Sequence, residues 1–241
     1  MVALLTSSPC IYGAPRAVLN PENDFADNLR RCLPEHPRCL FITAAPDDPA
    51  FTDRVAEEMA ACFDEAGLGF SELYKLDRRN QNEGQMLIWK SDFIILGGGH
   101  VPTQNAFFQE IGLRELLRNY QGVILGISAG TMNAADRVYI QPEEPGETVP
   151  EFRRFGEGLG ITKINVLPHY QMVKDKSLDS RRLFEDVTAA DSWGECFYVF
   201  VDGTYLLIRD GKTTLHGEAY RLAEGKMEQI TRLGDVLLME E

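Results

Sequence analysis

The chain has 241 residues, of which 44% are hydrophobic and 25% charged, enough to bury the core of one soluble domain. Its formal net charge of −13 leaves no cationic face for a phosphate backbone, which argues against a nucleic-acid partner. No apolar run reaches membrane-spanning length, and Met1–Thr6 lacks the basic flank of a secretion signal, so a cytoplasmic protein without a membrane partner is expected.

The five cysteines (Cys10, Cys32, Cys39, Cys62, Cys196) are odd in number and scattered, the pattern of reduced thiols. Cys32, His36 and Cys39 have the residue types of a metal site. Pro34 and Pro37 break the segment and no fourth ligand is near, so no metal is expected.

In chain order, Val2–Thr6 and Cys39–Thr43 read as short buried strands, with a helix over Asp24–Cys32 between them. Phe51, Val55, Met59, Phe63 and Ala66 recur at helical spacing until Gly67 ends the run. Phe70–Leu76 alternates loosely as a strand. Asp92–Leu96 is a buried strand that empties into Gly97-Gly98-Gly99. Phe107, Ile111 and Leu116-Leu117 mark one helix, and Val123-Ile124-Leu125 the next strand.

This rhythm predicts a mostly parallel, doubly wound α/β sheet with helices on both faces, whose ligands collect at the carboxyl ends of the strands. Beyond it, Gln141–Gly160 reads as a long loop and Ile164–Leu167 as a strand ending in Pro168-His169-Tyr170. Ser180–Ala190 reads as a helix. From Phe197 onward, Asp202-Gly203, Asp210-Gly211 and Glu224-Gly225 separate apolar runs, predicting antiparallel hairpins packed at the sheet edge.

The chemistry concentrates in Gly126-Ile127-Ser128-Ala129-Gly130, which follows a buried strand and precedes a helix. That layout is a nucleophile elbow: the glycines permit a sharp turn that presents the Ser128 hydroxyl and aims the Ala129 amide at a developing oxyanion. A serine at neutral pH needs a base. Of the four histidines, His36 sits between prolines and His216 in a hairpin. His100 follows the glycine run and is better placed to touch substrate. His169 ends a strand on the expected edge and is the base the spacing favours. The acid that would orient it is either Glu143, in the loop after the elbow helix, or Asp202, after the strand-like Phe197–Val201. Both have bland readings, a solvated loop face and a hairpin turn, and the residues alone do not separate them.

Leu96-Gly97-Gly98-Gly99, Gly126-Ile127-Ser128-Ala129-Gly130, Leu167-Pro168-His169-Tyr170 and Asp202-Gly203-Thr204-Tyr205, in that order, resemble peptidase E and its cyanophycinase relatives. The resemblance runs from about Phe93 to Tyr205. It implies a class I glutamine amidotransferase-like fold with serine in place of the elbow cysteine, and a cytoplasmic serine peptidase without metal or other cofactor. It makes Ser128 the nucleophile and His169 the base, with Gly98, Gly99 and Ala129 supplying oxyanion amides. Glu143 and Asp202 each fall where relatives carry an acidic residue.

The substrate implied is a short peptide with an N-terminal aspartate, whose carboxylate an arginine fork would hold. Arg181 and Arg182 are the nearest arginines beyond His169, with Arg153 and Arg154 the other pair. The family's usual Gly-Gly-Asn-Thr is Gly98-Gly99-His100-Val101 here, and Met132 stands where asparagine is common. Other readings are hydrolysis of a β-aspartyl or cyanophycin-type peptide or small ester, and a non-catalytic binding module on the same fold. A homodimer is left open.

Overall fold

The computed structural model describes residues 1–239. The amino-terminal part alternates strand and helix: β1 (Val2–Thr6), α1 (Phe25–Arg30), β2 (Arg38–Ile42), α2 (Pro49–Glu65), β3 (Glu72–Leu76), α3 (Gly84–Lys90), β4 (Phe93–Leu96), α4 (Val101–Glu110), α5 (Leu113–Leu117), β5 (Val123–Ile127) and α6 (Ala129–Asn133). The remainder contains β6 (Arg137–Tyr139), β7 (Phe155–Glu157), β8 (Asn165–Leu167), α7 (Tyr170–Val173), β9 (Ser177–Leu178), β10 (Arg181–Arg182), a π-helical turn Leu183–Thr188 and α8 (Ala189–Asp191). Strands β11 (Cys196–Phe200), β12 (Tyr205–Arg209), β13 (Lys212–His216), β14 (Ala219–Ala223), β15 (Lys226–Thr231) and β16 (Val236–Met239) complete it.

The main sheet has the order β16-β13-β12-β1-β5-β4-β2-β3. Strands β1, β5, β4, β2 and β3 run parallel, whereas β12, β13 and β16 join antiparallel beyond β1. The apolar runs are continuous because both faces of these strands are covered. Leu5, Leu40, Ile42, Ile94, Leu96 and Ile124 pack on one face with Phe107, Phe108 and Leu117 of α4 and α5. Leu4, Phe41, Phe93, Ile95 and Leu125 pack on the other with Phe25, Met59 and Phe63 of α1 and α2. Helix α2 starts at Asp48, whose carboxylate accepts from the Phe51 amide at 2.9 Å, with Pro49 in its first turn.

Four expectations change. The helix expected through Phe107–Leu117 is two, interrupted at Gly112. Gln141–Gly160 is not free of structure: β7 pairs with β6, and Phe155 and Tyr139 stack against Phe197 of β11. The helix expected from Ser180 begins only at Leu183, because Asp179 and Ser180 turn with positive φ and Arg181–Arg182 pairs with Ser177–Leu178.

The fourth change concerns Asp202-Gly203, which is no hairpin turn. Strand β11 before it belongs to a second sheet, β15-β14-β11-β8, and β12 after it belongs to the main one. The dipeptide is the crossing between two sheets. The hairpins at Asp210-Gly211 and Glu224-Gly225 join β12 to β13 and β14 to β15 as read. Among the described residues, no helix is long and apolar enough to cross a membrane.

Candidate active site

Strands β4 and β5 are neighbours, so Gly97–Gly99 and Ser128 emerge side by side at their carboxyl ends. Ser128 sits at φ 51°, ψ −111°, a conformation an L-residue holds only when its surroundings impose it. The constraint is visible. Its amide donates to the carbonyls of Thr6 (3.1 Å) and Ser7 (3.0 Å), and the Thr131 hydroxyl of α6 donates to the Thr6 carbonyl at 2.7 Å. Two residues on, a β-carbon at Gly130 would stand 2.2 Å from the Leu96 carbonyl oxygen, so only glycine lets α6 leave the sheet at this angle.

The loop after β4 runs against the serine: a β-carbon at Gly98 would lie 3.3 Å from Cβ of Ser128. It is held by the Gly97 amide on the Ile42 carbonyl (2.9 Å) and by Gln104, whose side-chain amide donates to the Gly97 carbonyl at 2.7 Å. Gly99 follows Gly98, and the buried Ala129 opens α6 beside Ser128.

His169 arrives from the second sheet. It follows β8 with φ 60°, and its Nδ1 lies 2.7 Å from Oδ1 of Asp202. The Asp202 side chain is only 7% exposed against 27% for His169, so the pair opens on the imidazole side. Burial pushes the Asp202 carboxyl upward. Hydrogen bonds from His169 and Ser7 outweigh it and hold the group below the usual carboxylate value. The Asp202 amide donates to Oε1 of Gln171 at 3.1 Å.

Ser7, at the end of β1, joins all three residues. Its carbonyl accepts from the Ser128 amide, and its hydroxyl accepts from the His169 amide at 2.7 Å and donates to Oδ1 of Asp202 at 2.6 Å. The side chain is fully buried. Sequence reasoning did not single it out. Its one signal was position: Thr6-Ser7-Ser8 ends a buried strand at the same edge as Ser128.

The two acid candidates are thus brought to different places. Among the described residues, Glu143 forms no hydrogen bond or ion pair with His169. Its backbone amide donates to Oε2 of Glu147 (2.8 Å), and its carbonyl accepts from the Lys176 ammonium (3.1 Å). Burial raises its carboxyl, an effect reduced by the nearby charges of His100 and Lys176. His100 caps α4, its Nδ1 2.8 Å from the Thr103 hydroxyl, and its Nε2 is buried without a partner. Met132 is buried, in the same core cluster as Val101, Phe184 and Leu222, rather than on open surface.

The arginines are less suited to an open fork. Arg182 pairs with Asp186 (3.2 Å) and its backbone amide also donates to that carboxylate. Arg154 is clamped between Asp191 (2.9 Å) and the Glu147 carbonyl (2.7 Å), and Arg153 donates to the Phe155 carbonyl. Arg181 is exposed and forms no salt bridge among the described residues. A cavity of about 360 Å³, lined by Ile11, Tyr12, Asn20, Gln171 and Asp202, borders the acid. A larger one, about 690 Å³, lies at the amino ends of β1 and β5, lined by Val2, Trp89, Tyr120 and Val123, and holds none of these residues.

The chain belongs to peptidase family S51, whose sequence pattern it matches over residues 11–216. It is therefore a peptidase of the serine class. Among solved structures it is similar to a peptidase from an acI-B1 Actinobacterium, at 18% identity and TM-score 0.63, covering 99% of this chain and 96% of that one. It is also similar to a candidate peptidase E protein from Listeria monocytogenes EGD-e, at 16% identity and TM-score 0.60, covering 95% and 98%. At those identities the likeness concerns the fold. No curated protein matches.

Proposed function

We propose that this chain is a cytoplasmic serine dipeptidase that hydrolyses short peptides with an acidic N-terminal residue. Ser128 attacks the scissile carbonyl and His169 takes its proton at Nε2, the nitrogen left free by Asp202. The resulting oxyanion is met by the amides of Ala129 and of Gly98 or Gly99. His169 then returns the proton to the leaving amine, and water releases the acyl-enzyme by the same route in reverse. Asp202, rather than Glu143, fixes the tautomer and balances the imidazolium. The observation that supports this reading best is the Ser7 network, which ties the elbow on the main sheet to the histidine and the acid that arrive from the second sheet.

Specificity rests on less. Arg181 is the arginine free to meet an acidic side chain, with Arg182 beside it and His100 next to the oxyanion loop. A second reading is favoured by Arg182 already being paired with Asp186: the acyl group comes from a β-aspartyl peptide or small ester instead. Hydrolysis of Asp-X, Glu-X, Ala-X and β-Asp-X dipeptides by wild type and Ser128→Ala tests both. Cleavage of Asp-X and Glu-X, lost in the variant, is the expected result. Turnover of β-Asp-X alone would replace it with the second reading, and equal turnover in the variant would remove Ser128 from the mechanism.

A further inference from the structure

Two thiols meet just behind the site. Cys10, in the segment after β1, has its Sγ 3.8 Å from Sγ of Cys62 on α2. The other three cysteines form no such pair. The two members differ in setting. Cys62 is buried in a helix packed on the sheet, whereas Cys10 is partly exposed, held by an isolated bridge to Leu19, and followed by the exposed Ile11 and Tyr12.

The segment carrying Cys10 also holds the proposed acid. Ser7 bonds Asp202 and the His169 amide, and the Ser8 carbonyl accepts from the Gly203 amide at 2.9 Å. The Cys10 amide in turn donates to the Ser8 hydroxyl at 3.2 Å. These bonds connect Cys10 through Ser8 and Ser7 to the Asp202-Gly203 crossing.

We propose that Cys10 and Cys62 form a reversible disulfide under peroxide, and that closing it disturbs the Asp202–His169 pair. The steps balance. One thiol gives up its proton, its thiolate sulfur attacks a peroxide oxygen, the O–O bond breaks, and the sulfur becomes a sulfenic acid while the departing hydroxide takes up that proton and leaves as water. The second thiol attacks that sulfur, forming the S–S bond and releasing a second water, so two thiols are oxidised and one hydrogen peroxide is reduced. The thiol pair is set up for this: the two sulfurs are in contact, and the hydrogen bond they share draws the Cys62 thiol below its ordinary value while it raises that of Cys10. A disulfide requires sulfurs about 2 Å apart, so they must close by roughly half their present separation. Both cysteines pack on the same core, but Cys62 is buried within the long helix α2, whereas Cys10 is partly exposed and held by an isolated bridge, so the Cys10 segment is the side that yields. A cytosolic disulfide of this kind is transient and responsive rather than a structural staple.

The coupling to the site rests on the proposed roles of Ser128, His169 and Asp202; the disulfide itself does not. The intact protein is treated with hydrogen peroxide, mapped by peptide mass spectrometry, and returned to dithiothreitol. Fluorophosphonate labelling of Ser128 and hydrogen exchange at the His169 amide are followed at each stage. The expected result is a Cys10–Cys62 cross-link, labelling slowed by about tenfold, faster exchange at His169, and recovery on reduction. Cys62→Ser and, on the exposed side, Cys10→Ala should each abolish all three changes while leaving the reduced rates in place. Oxidation at other cysteines with no Cys10–Cys62 peptide overturns the proposal. A cross-link that leaves His169 exchange unchanged overturns the coupling. Absence of labelling in the reduced protein would count against the peptidase reading alone, since exchange still reports on the switch.

Discussion

The two halves of the site are held in opposite ways. The elbow half is contiguous in sequence: β5, Ser128 and α6 follow one another, and the turn is shaped where they meet the backbone of the neighbouring strands β1 and β4, at Thr6, Ser7 and Leu96. The His169–Asp202 half is assembled from a distance. Its partners are separated by 33 residues from each other and by 162 and 195 residues from Ser7. A strained local turn is robust because no single hydrogen bond carries it. A long-range carboxylate–imidazole pair depends on each bond that orients it. The lesson is that the two halves should fail differently.

The largest effect is expected from Ser128→Ala, which should lower kcat by on the order of 10⁴-fold or more with folding intact, because nothing replaces the nucleophile. Circular dichroism and dipeptide turnover check it. Asp202→Asn should lower kcat by about 10³- to 10⁴-fold, since the amide presents the wrong hydrogen-bonding group to Nδ1. Equal losses for Glu143→Gln and Asp202→Asn would break the assignment of the acid.

Ser7→Ala sharpens the comparison. It removes one hydrogen bond to a carboxylate and one from the His169 amide, and should cost about 10- to 100-fold in kcat with little change in KM. The reverse split, a raised KM at constant kcat, would mean that Ser7 touches substrate instead. On the local side, Gly130→Ala should destabilise the fold by about 1–3 kcal/mol or more, because the new methyl meets a backbone carbonyl that cannot step aside. Denaturant unfolding measures it.

The smallest effect concerns Glu143. Burial raises its carboxyl in the folded chain, so the charged form is disfavoured there relative to the unfolded chain. The cost is fully present above the raised value and fades as pH falls toward the unfolded value of about 4.3. Glu143→Gln should raise Tm by about 2 °C at pH 7 and by nothing near pH 4. Asp202 has the opposite sign: its lowered carboxyl contributes stability above the unfolded value near pH 3.9, lost as pH falls through the lower folded value.

Much of this was written in short-range pattern. The alternation of apolar runs and helical spacing yields the parallel sheet, since strands buried on both faces must be continuously apolar. The glycines around Ser128 yield the elbow, because close backbone approach excludes a β-carbon. His169 was legible as a strand-end histidine, but its strand was expected in the parallel sheet and lies in the second one, because β8 pairs with β11. The end of the Gln141–Gly160 stretch was not, because Phe155 becomes part of a strand only by stacking on Tyr139 and Phe197, a contact made across the fold.

What the sequence by itself determined is the central sheet, the serine turn and the position of His169 at the end of an apolar strand, all consequences of spacing within a few residues. That Asp202 rather than Glu143 lies against His169, that Ser7 bonds Asp202 and His169, and that Cys10 meets Cys62 were decided by tertiary structure alone. Asp-Gly is a hairpin signal in any local reading. It becomes the seat of a buried carboxylate only because the strands on either side of it enter different sheets, and that pairing is set by non-local hydrogen bonds no short-range pattern encodes.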